Sequence, residues 1–189
     1  GSSGVVWHID PIDGTTNYVY AIPRYSVSLG AEIDGQMVAG IVVDPVGSLV
    51  YRAVRFGGAR CNDEPIHCSA ALTLASALAA TGFGYHPERR RHQAQVLVEI
   101  LPQIRDIRRF GSAALDLCAV ATGEVDVYWE RGLNQWDQAA GSLIAREAGA
   151  QVGNLRGGPP DASCVLAAPG ALFEPLRQAL ADAGADLGP

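Results

Sequence analysis

The sequence predicts an α/β (α+β) protein of layered helices and mixed sheets. Three observations carry this: β-rich runs fill the first third, helical spacing replaces them near residue 88, and short strands and helices alternate from there on. Val5 to Asp10 reads as a strand stopped by Pro11, followed by a small polar cluster through Asn17. Tyr25 to Ile33 and Gln36 to Asp44 are β-rich runs separated by Asp34-Gly35, a strong hairpin signal, and Ser48 to Val54 continues an antiparallel meander. Glu88 to Ile104 places Val96, Ile100 and Ile104 at helical intervals, with Arg89, Arg90 and Arg91 expected on the solvated side. Arg105 to Phe110 then reads as a strand, and Ser112 as the cap of a helix running to about Thr122. Val125 to Trp129 is the next strand, Trp136 to Ala148 a helix stopped by Gly149, Cys164 to Ala168 a buried strand, and Ala171 to Ala183 a final amphipathic helix. Gly153 to Asp161 is the loop-rich stretch.

Composition narrows the chemistry. Of 189 residues, 14 are basic and 20 acidic, a net charge of −6, and every basic residue is arginine. The absence of lysine excludes the phosphate-binding lysine of a Walker loop, a lysine Schiff base and a lysine nucleophile. The acidic balance lacks the footprint of a nucleic-acid binder. With 48% hydrophobic and 18% charged residues the chain reads as one soluble globular domain over residues 1–189, long enough to build a core without staples. Cys61, Cys68, Cys118 and Cys164 form no metal-binding spacing and read as reduced thiols, so a cytoplasmic location is expected. The uncharged stretch from Pro65 to Pro87 carries His67, Gly82, Gly84 and His86 and would insert poorly into a bilayer, and no basic leader precedes an apolar run. No GxGxxG follows the first strand, which disfavours a nucleotide-binding Rossmann domain.

Two segments hold the chemistry. In Trp7-His8-Ile9-Asp10-Pro11-Ile12-Asp13-Gly14-Thr15-Thr16-Asn17-Tyr18, Asp10 closes a strand and Asp13 follows in a turn where Gly14 can take a positive φ, so both carboxylates can face one point. Clustered carboxylates repel one another unless a cation lies between them, and hard oxygen ligands suit Mg²⁺. The Gly14 to Asn17 backbone, if it opens a helix, adds N–H donors for a phosphate. Turn chemistry accounts for the same Asp-Pro and Asp-Gly pairs equally well, and Thr15 or Thr16 could serve only as a helix cap. In the second segment, Trp129-Glu130-Arg131-Gly132-Leu133-Asn134-Gln135-Trp136-Asp137-Gln138-Ala139-Ala140-Gly141, Asp137 lies in the first turn of a helix. Its small residues Ala139, Ala140 and Gly141 permit close packing, while Asp137 and Glu130 each also have a plain reading as surface carboxylates.

The string DPIDGTTN followed by WDQAAG resembles the inositol monophosphatase family of Mg²⁺-dependent, lithium-sensitive phosphomonoesterases. GGARCNDEPIHCS and RRFGSAALDLCAVATGEVDVYWE, which lie between them, resemble family segments too. The resemblance implies an α-β-α-β-α sugar-phosphatase-like sandwich and Asp10, Asp13 and Asp137 as metal ligands, with the Ile12 carbonyl as a further contributor. Two or three Mg²⁺ ions would be held, with Mn²⁺ as a possible substitute. It further implies that Thr15, together with Asp13, serves the attacking water, that Gly14 and Thr15 N–H groups meet the phosphate, that Gly111, Ser112 and Ala113 lie near the substrate ring, and that Glu130 accepts its hydroxyl hydrogen bonds. The implied reaction is hydrolysis of myo-inositol monophosphate by a homodimer.

The family pattern also includes, upstream of DPIDGTTN, helices ending in a Glu-Glu pair that supplies another metal ligand; the sequence starts six residues before Trp7, so that segment is expected to be missing. Two alternatives stay open. One is a related phosphatase acting on fructose bisphosphate, histidinol phosphate or a 3′-phosphonucleotide; the other is a non-catalytic module that keeps the fold.

Overall fold

Gly30 and Gly40 of the first sheet meet Ala139 and Ala140 of one helix, so that this contact between layers is tight, whereas larger side chains such as Ile100, Leu166 and Phe173 fill another part of the core. The computed structural model describes residues 3–187; Gly1, Ser2, Gly188 and Pro189, the ends of the expected 1–189 domain, lie outside the described residues. Strands β1 (Val5–Asp13), β2 (Ser26–Ile33), β3 (Gln36–Asp44), β4 (Leu49–Val54), β5 (Ala59–Cys61) and β6 (Glu64–Pro65) form an antiparallel sheet in sequential order. The second sheet is mixed, with β7 (Leu78–Thr81), β8 (Asp106–Arg108), β9 (Val127–Glu130), β10 (Ala150–Gly153) and β11 (Val165–Pro169) ordered β10-β11-β9-β7-β8. Within it β7 pairs parallel with β8 and β9, and β11 antiparallel with β9 and β10. Helices α3 (Ala113–Thr122) and α4 (Gln135–Glu147) pack between the sheets, and α2 (Pro87–Ile100) and α5 (Gly170–Asp182) cover the far side of the mixed sheet. A single turn, α1 (Thr15–Val19), follows β1.

The burial pattern follows from these layers. In β11 every residue is buried, because Leu166 and Ala168 face the core under α2 and α5 while Val165 and Ala167 face the core under α3 and α4. In β4 only alternate residues are buried: Tyr51 and Ala53 point to the helices, and Arg52 and Val54 do not. Val96, Ile100 and Ile104, the expected helical core positions, are all buried.

Some boundaries differ from the sequence reading, for physical reasons. Strand β1 runs through Pro11 to Asp13, because it is an edge strand and its register shifts between Asp10 and Asp13; a proline without an N–H is tolerated there. Helix α2 ends at Ile100 because Pro102 disfavours helix in the residue before it, and a short 3₁₀ turn, Leu101–Gln103, finishes the segment. Strands β5, β6, β7 and β10 were not anticipated: they are two to four residues long, and Leu78–Thr81 lies in an alanine-rich stretch without alternation. Asp34 and Gly35 both adopt positive φ, as the hairpin signal requires.

Gly30 and Gly40 face each other across β2 and β3 and receive α4. A Cβ on Gly40 would lie 3.0 Å from the Cα and 3.2 Å from the Cβ of Ala140, and one on Gly30 would lie 3.2 Å from the Cβ of Ala139. On the next face of the helix, a Cβ on Gly141 would come within 2.8 Å of Leu117 of α3. Gly40→Val is therefore expected to cost about 1–3 kcal/mol through overpacking. Gly170→Ala, which meets nothing within 4 Å, should stay within about 0.5 kcal/mol of the parent. Urea denaturation of both variants checks this, and equal effects would contradict the close-packing account.

Candidate active site

The ends of β1 and β9, the first turns of α1, α3 and α4, and the segment from Gly82 to Arg89 converge on a cleft of about 520 Å³, within the range of small-molecule sites. Asp10, Ile12, Asp13, Gly14, Thr15, Gly111, Ala113, Glu130 and Asp137 line it, so the sequence-predicted residues come together with one exception. Ser112 is fully buried behind Asp13. Its hydroxyl donates to Asp13 Oδ2 at 2.5 Å and accepts from the Leu115 N–H at 3.3 Å, so it caps α3 and holds a carboxylate rather than facing the cleft.

Each carboxylate is placed by backbone geometry. Gly14, at φ 84°, turns the chain after β1 and occupies the N-cap position of α1, displacing the threonines from the capping role the sequence allowed. Side-chain substitution there would be doubly disfavoured, since a Cβ would sit 3.1 Å from the carbonyls of both Arg24 and Gly111. Thr15 uses its hydroxyl to donate to the Ile12 carbonyl at 3.0 Å. Asn17 is buried and donates to the carbonyls of Arg24 and Phe110, both at 2.7 Å, tying α1 to the loop that leads into α3. Asp137 closes the start of α4 by accepting the Asn134 N–H at 2.6 Å, so it has the helix-terminus role and a place in the cleft at once.

Asp10, Asp13 and Asp137 each present an oxygen within 4.8 Å of the other two. Burial is the largest influence on Asp10 and raises its pKa; the Ile12 N–H, 3.0 Å from Oδ1, opposes it, and the charge of Asp137 adds to it. Burial pushes Asp13 up to about 7, against the stabilising hydrogen bonds from Ser112 and from the Ala114 N–H at 2.8 Å, with Asp10 and Asp137 raising it further. Such a group is unfavourable as three bare anions and favourable around a cation. The donors are all hard oxygens, the chemistry of a hard divalent ion, so these residues could hold one.

Glu130, the last residue of β9, is half-buried and lines the same cleft. Burial pushes it up to about 7, opposed by the hydrogen bond from the Tyr128 hydroxyl at 2.8 Å and by the charge of Arg109. Gly82 makes room for it: a Cβ there would lie 1.9 Å from Glu130 Oε2. Sequence reasoning missed Gly82, Tyr128, Asn17 and the cleft-lining Arg89, Arg109 and Arg131. Arg89 in particular does not lie on the solvated face expected of the arginine run, but in the cleft. The one available signal was Gly82-Phe83-Gly84 within an uncharged stretch, a glycine pair at a strand end.

Because Asp13 and Glu130 carry raised pKa values of about 7 in the fold, the metal-free folded chain holds more protons than the unfolded chain between roughly pH 4 and 7. Their contribution to stability is present below that window and is lost as pH rises through it. Urea denaturation at pH 5 and pH 8 should show Glu130→Gln gaining stability relative to the parent as pH rises, and a pH-independent difference would contradict it.

Comparison with known proteins adds identity to this geometry. The model of the Inositol monophosphatase family matches residues 1–185. Inositol-1-monophosphatase SuhB of Mycobacterium tuberculosis is 48% identical over 181 residues, which are 93% of this chain and 62% of that protein. The chain thus spans about three fifths of the curated relatives it matches first. The solved structure of Mycobacterium tuberculosis SuhB superposes with a TM-score of 0.88 at 45% identity, over 96% of this chain and 74% of that one. SaIMPase-II, in a structure described as bound to inositol monophosphate, has a TM-score of 0.80 at 32% identity, over 95% of this chain and 74% of that one. A match that runs almost the full length of the sequence, on a fold whose two aspartate motifs meet in one cleft, means that this chain belongs to the inositol monophosphatase family.

Proposed function

We propose that the protein containing this chain is a Mg²⁺-dependent phosphomonoesterase that hydrolyses myo-inositol monophosphate to inositol and phosphate, with residues 1–189 read as one domain. The observation that carries the reading is the set of three carboxylates within 4.8 Å of one another in a cleft shared with Glu130 and the Gly14-Thr15 turn. Asp10, Asp13 and Asp137, with the Ile12 carbonyl, would hold two or three Mg²⁺ ions, or Mn²⁺ in their place. When bound, such ions offset phosphate charge and lower the pKa of water.

The chain's own residues supply the rest. Ser112 and the Ala114 N–H hold Asp13 in one orientation. Thr15, whose hydroxyl donates to the Ile12 carbonyl, would orient the attacking water once that hydrogen bond is exchanged. The Gly14 and Thr15 N–H groups would meet the phosphate, Gly111 and Ala113 would flank the polyol, and Glu130 would accept its hydroxyl hydrogen bonds. A related phosphate ester, such as fructose bisphosphate, histidinol phosphate or a 3′-phosphonucleotide, is the competing substrate. Family membership supports lithium sensitivity and a homodimer as parts of the same proposal. The free state of all four cysteines supports a cytoplasmic location. No helix among the described residues is long and apolar enough to cross a membrane.

The test is phosphate release from inositol monophosphate with Mg²⁺. Asp10→Asn and Asp137→Asn should each lower kcat/KM by about 100-fold or more, at least as much as the loss of a group that supports a metal ligand. Unchanged rates in both variants, or release without Mg²⁺, would overturn the proposal. Mg²⁺ affinity should fall as pH is lowered, since protons compete for the same carboxylates; calorimetric titration at pH 6 and pH 8 reads this directly. Gly82→Ala should displace Glu130 and raise KM for the polyol substrate by about tenfold, the scale on which a lost hydroxyl hydrogen bond discriminates.

A further inference from the structure

Where β7 ends at Thr81, the chain leaves the sheet and its backbone groups need new partners. Gln93, a buried residue of α2, supplies them for the segment that follows. Its Oε1 accepts the Gly84 N–H at 2.9 Å, and its Nε2 donates to the Gly82 carbonyl at 3.4 Å. One side chain thereby ties both ends of Gly82-Phe83-Gly84 to the helix. Arg90, an exposed residue of the same helix, donates to the Tyr85 carbonyl at 2.6 Å and so holds the chain further out.

What Gln93 holds is a wall of the cleft. Gly82, Phe83 and Gly84 all line it, whereas Gln93 is not among the lining residues. The carboxylate of Glu130 rests against Gly82, where Oε2 leaves no room for a Cβ. The same oxygen accepts the Tyr128 hydroxyl at 2.8 Å, so Tyr128 and the Gly82 backbone together define where it lies. Packing around this wall is incomplete. Gly82, Phe83, His92, Gln93, Leu97 and Cys164 border a cavity of about 20 Å³, which has room for about one water molecule. A segment with two glycines beside a void can shift, and the two hydrogen bonds from Gln93 are what oppose the shift.

We propose that Gln93 is a positioning residue for the polyol end of the substrate: by pinning Gly82 and Gly84 it keeps the wall beside Glu130 in place, and with it the carboxylate that accepts the substrate's hydroxyls. This rests on the phosphomonoesterase reading above and adds to it a residue outside the cleft that acts through Glu130.

The test compares two phosphate esters on the protein containing this chain, with Mg²⁺ present. Inositol monophosphate offers hydroxyls to Glu130, and 4-nitrophenyl phosphate offers none. Gln93→Met and Gln93→Leu occupy similar space without the amide, so either one serves. Each should raise KM for inositol monophosphate about fivefold or more, with kcat/KM for 4-nitrophenyl phosphate within about twofold of the parent. In a Glu130→Gln background the same substitutions should add nothing further, because the effect passes through Glu130. Ile100→Val, on the same helix but in the core, should lower the urea midpoint and leave both KM values alone, which separates positioning from stability. An unchanged KM for inositol monophosphate, equal losses on the two esters, the same KM shift in Ile100→Val, or an effect that persists in the Glu130→Gln background would overturn the inference while the phosphatase reading stands. Hydrolysis of neither ester by the parent protein would overturn the phosphatase reading and this inference with it.

Discussion

The approach of α4 to the six-stranded sheet is the constraint on which the site depends. Gly30 and Gly40 leave the inner face of β2 and β3 without side chains where Ala139 and Ala140 arrive, so the helix backbone reaches almost the packing limit. Asp137 lies two residues before Ala139 at the start of that helix. Every ångström by which a larger side chain lifted α4 would therefore separate Asp137 from Asp10 and Asp13. Packing complementarity here sets a distance between charges, and a core contact becomes a determinant of chemistry.

That placement runs against electrostatics. Three carboxylates are brought within 4.8 Å, two of them only 8% exposed. The fold offsets part of the cost with hydrogen bonds from Ser112, Ala114 and Ile12 to Asp13 and Asp10, and from Asn134 to Asp137. Burial still outweighs these at Asp13, whose pKa remains raised to about 7. A site that stays costly after its hydrogen bonds are made is one whose stability is completed by a bound cation. Glu130 repeats the argument elsewhere in the cleft: Tyr128 and Arg109 stabilise its anion, and burial wins.

Much of the fold was readable from local pattern. The meander was signalled by Asp34-Gly35, the helix over the far face by Val96 and Ile100, and the all-buried β11 by its unbroken apolar run. The strands that escaped notice are those whose existence depends on neighbours. Leu78–Thr81 is a strand because β8 and β9 flank it, and nothing in Leu-Ala-Ala-Thr alone distinguishes strand from helix. Likewise the arginine run after residue 88 read as a solvated helix face, since helical periodicity does not show that Gly84 and Gly132 provide a seat for Arg89 inside the cleft.

The sequence by itself determined the residue types that can do this chemistry: two short aspartate motifs, no lysine, and glycines where the backbone must turn at Gly14. It also supplied a family resemblance that the match over residues 1–185 bears out. Only the tertiary structure decided which groups meet. It put Ser112 behind Asp13 rather than at the cleft surface, gave Glu130 its room beside Gly82, and turned Arg89 and Arg109 toward the site. The physical reason is range: turn and helix preferences act over a few residues, whereas the spacing of Asp10 from Asp137 is set by how two layers pack, through side-chain volumes that no local pattern reports.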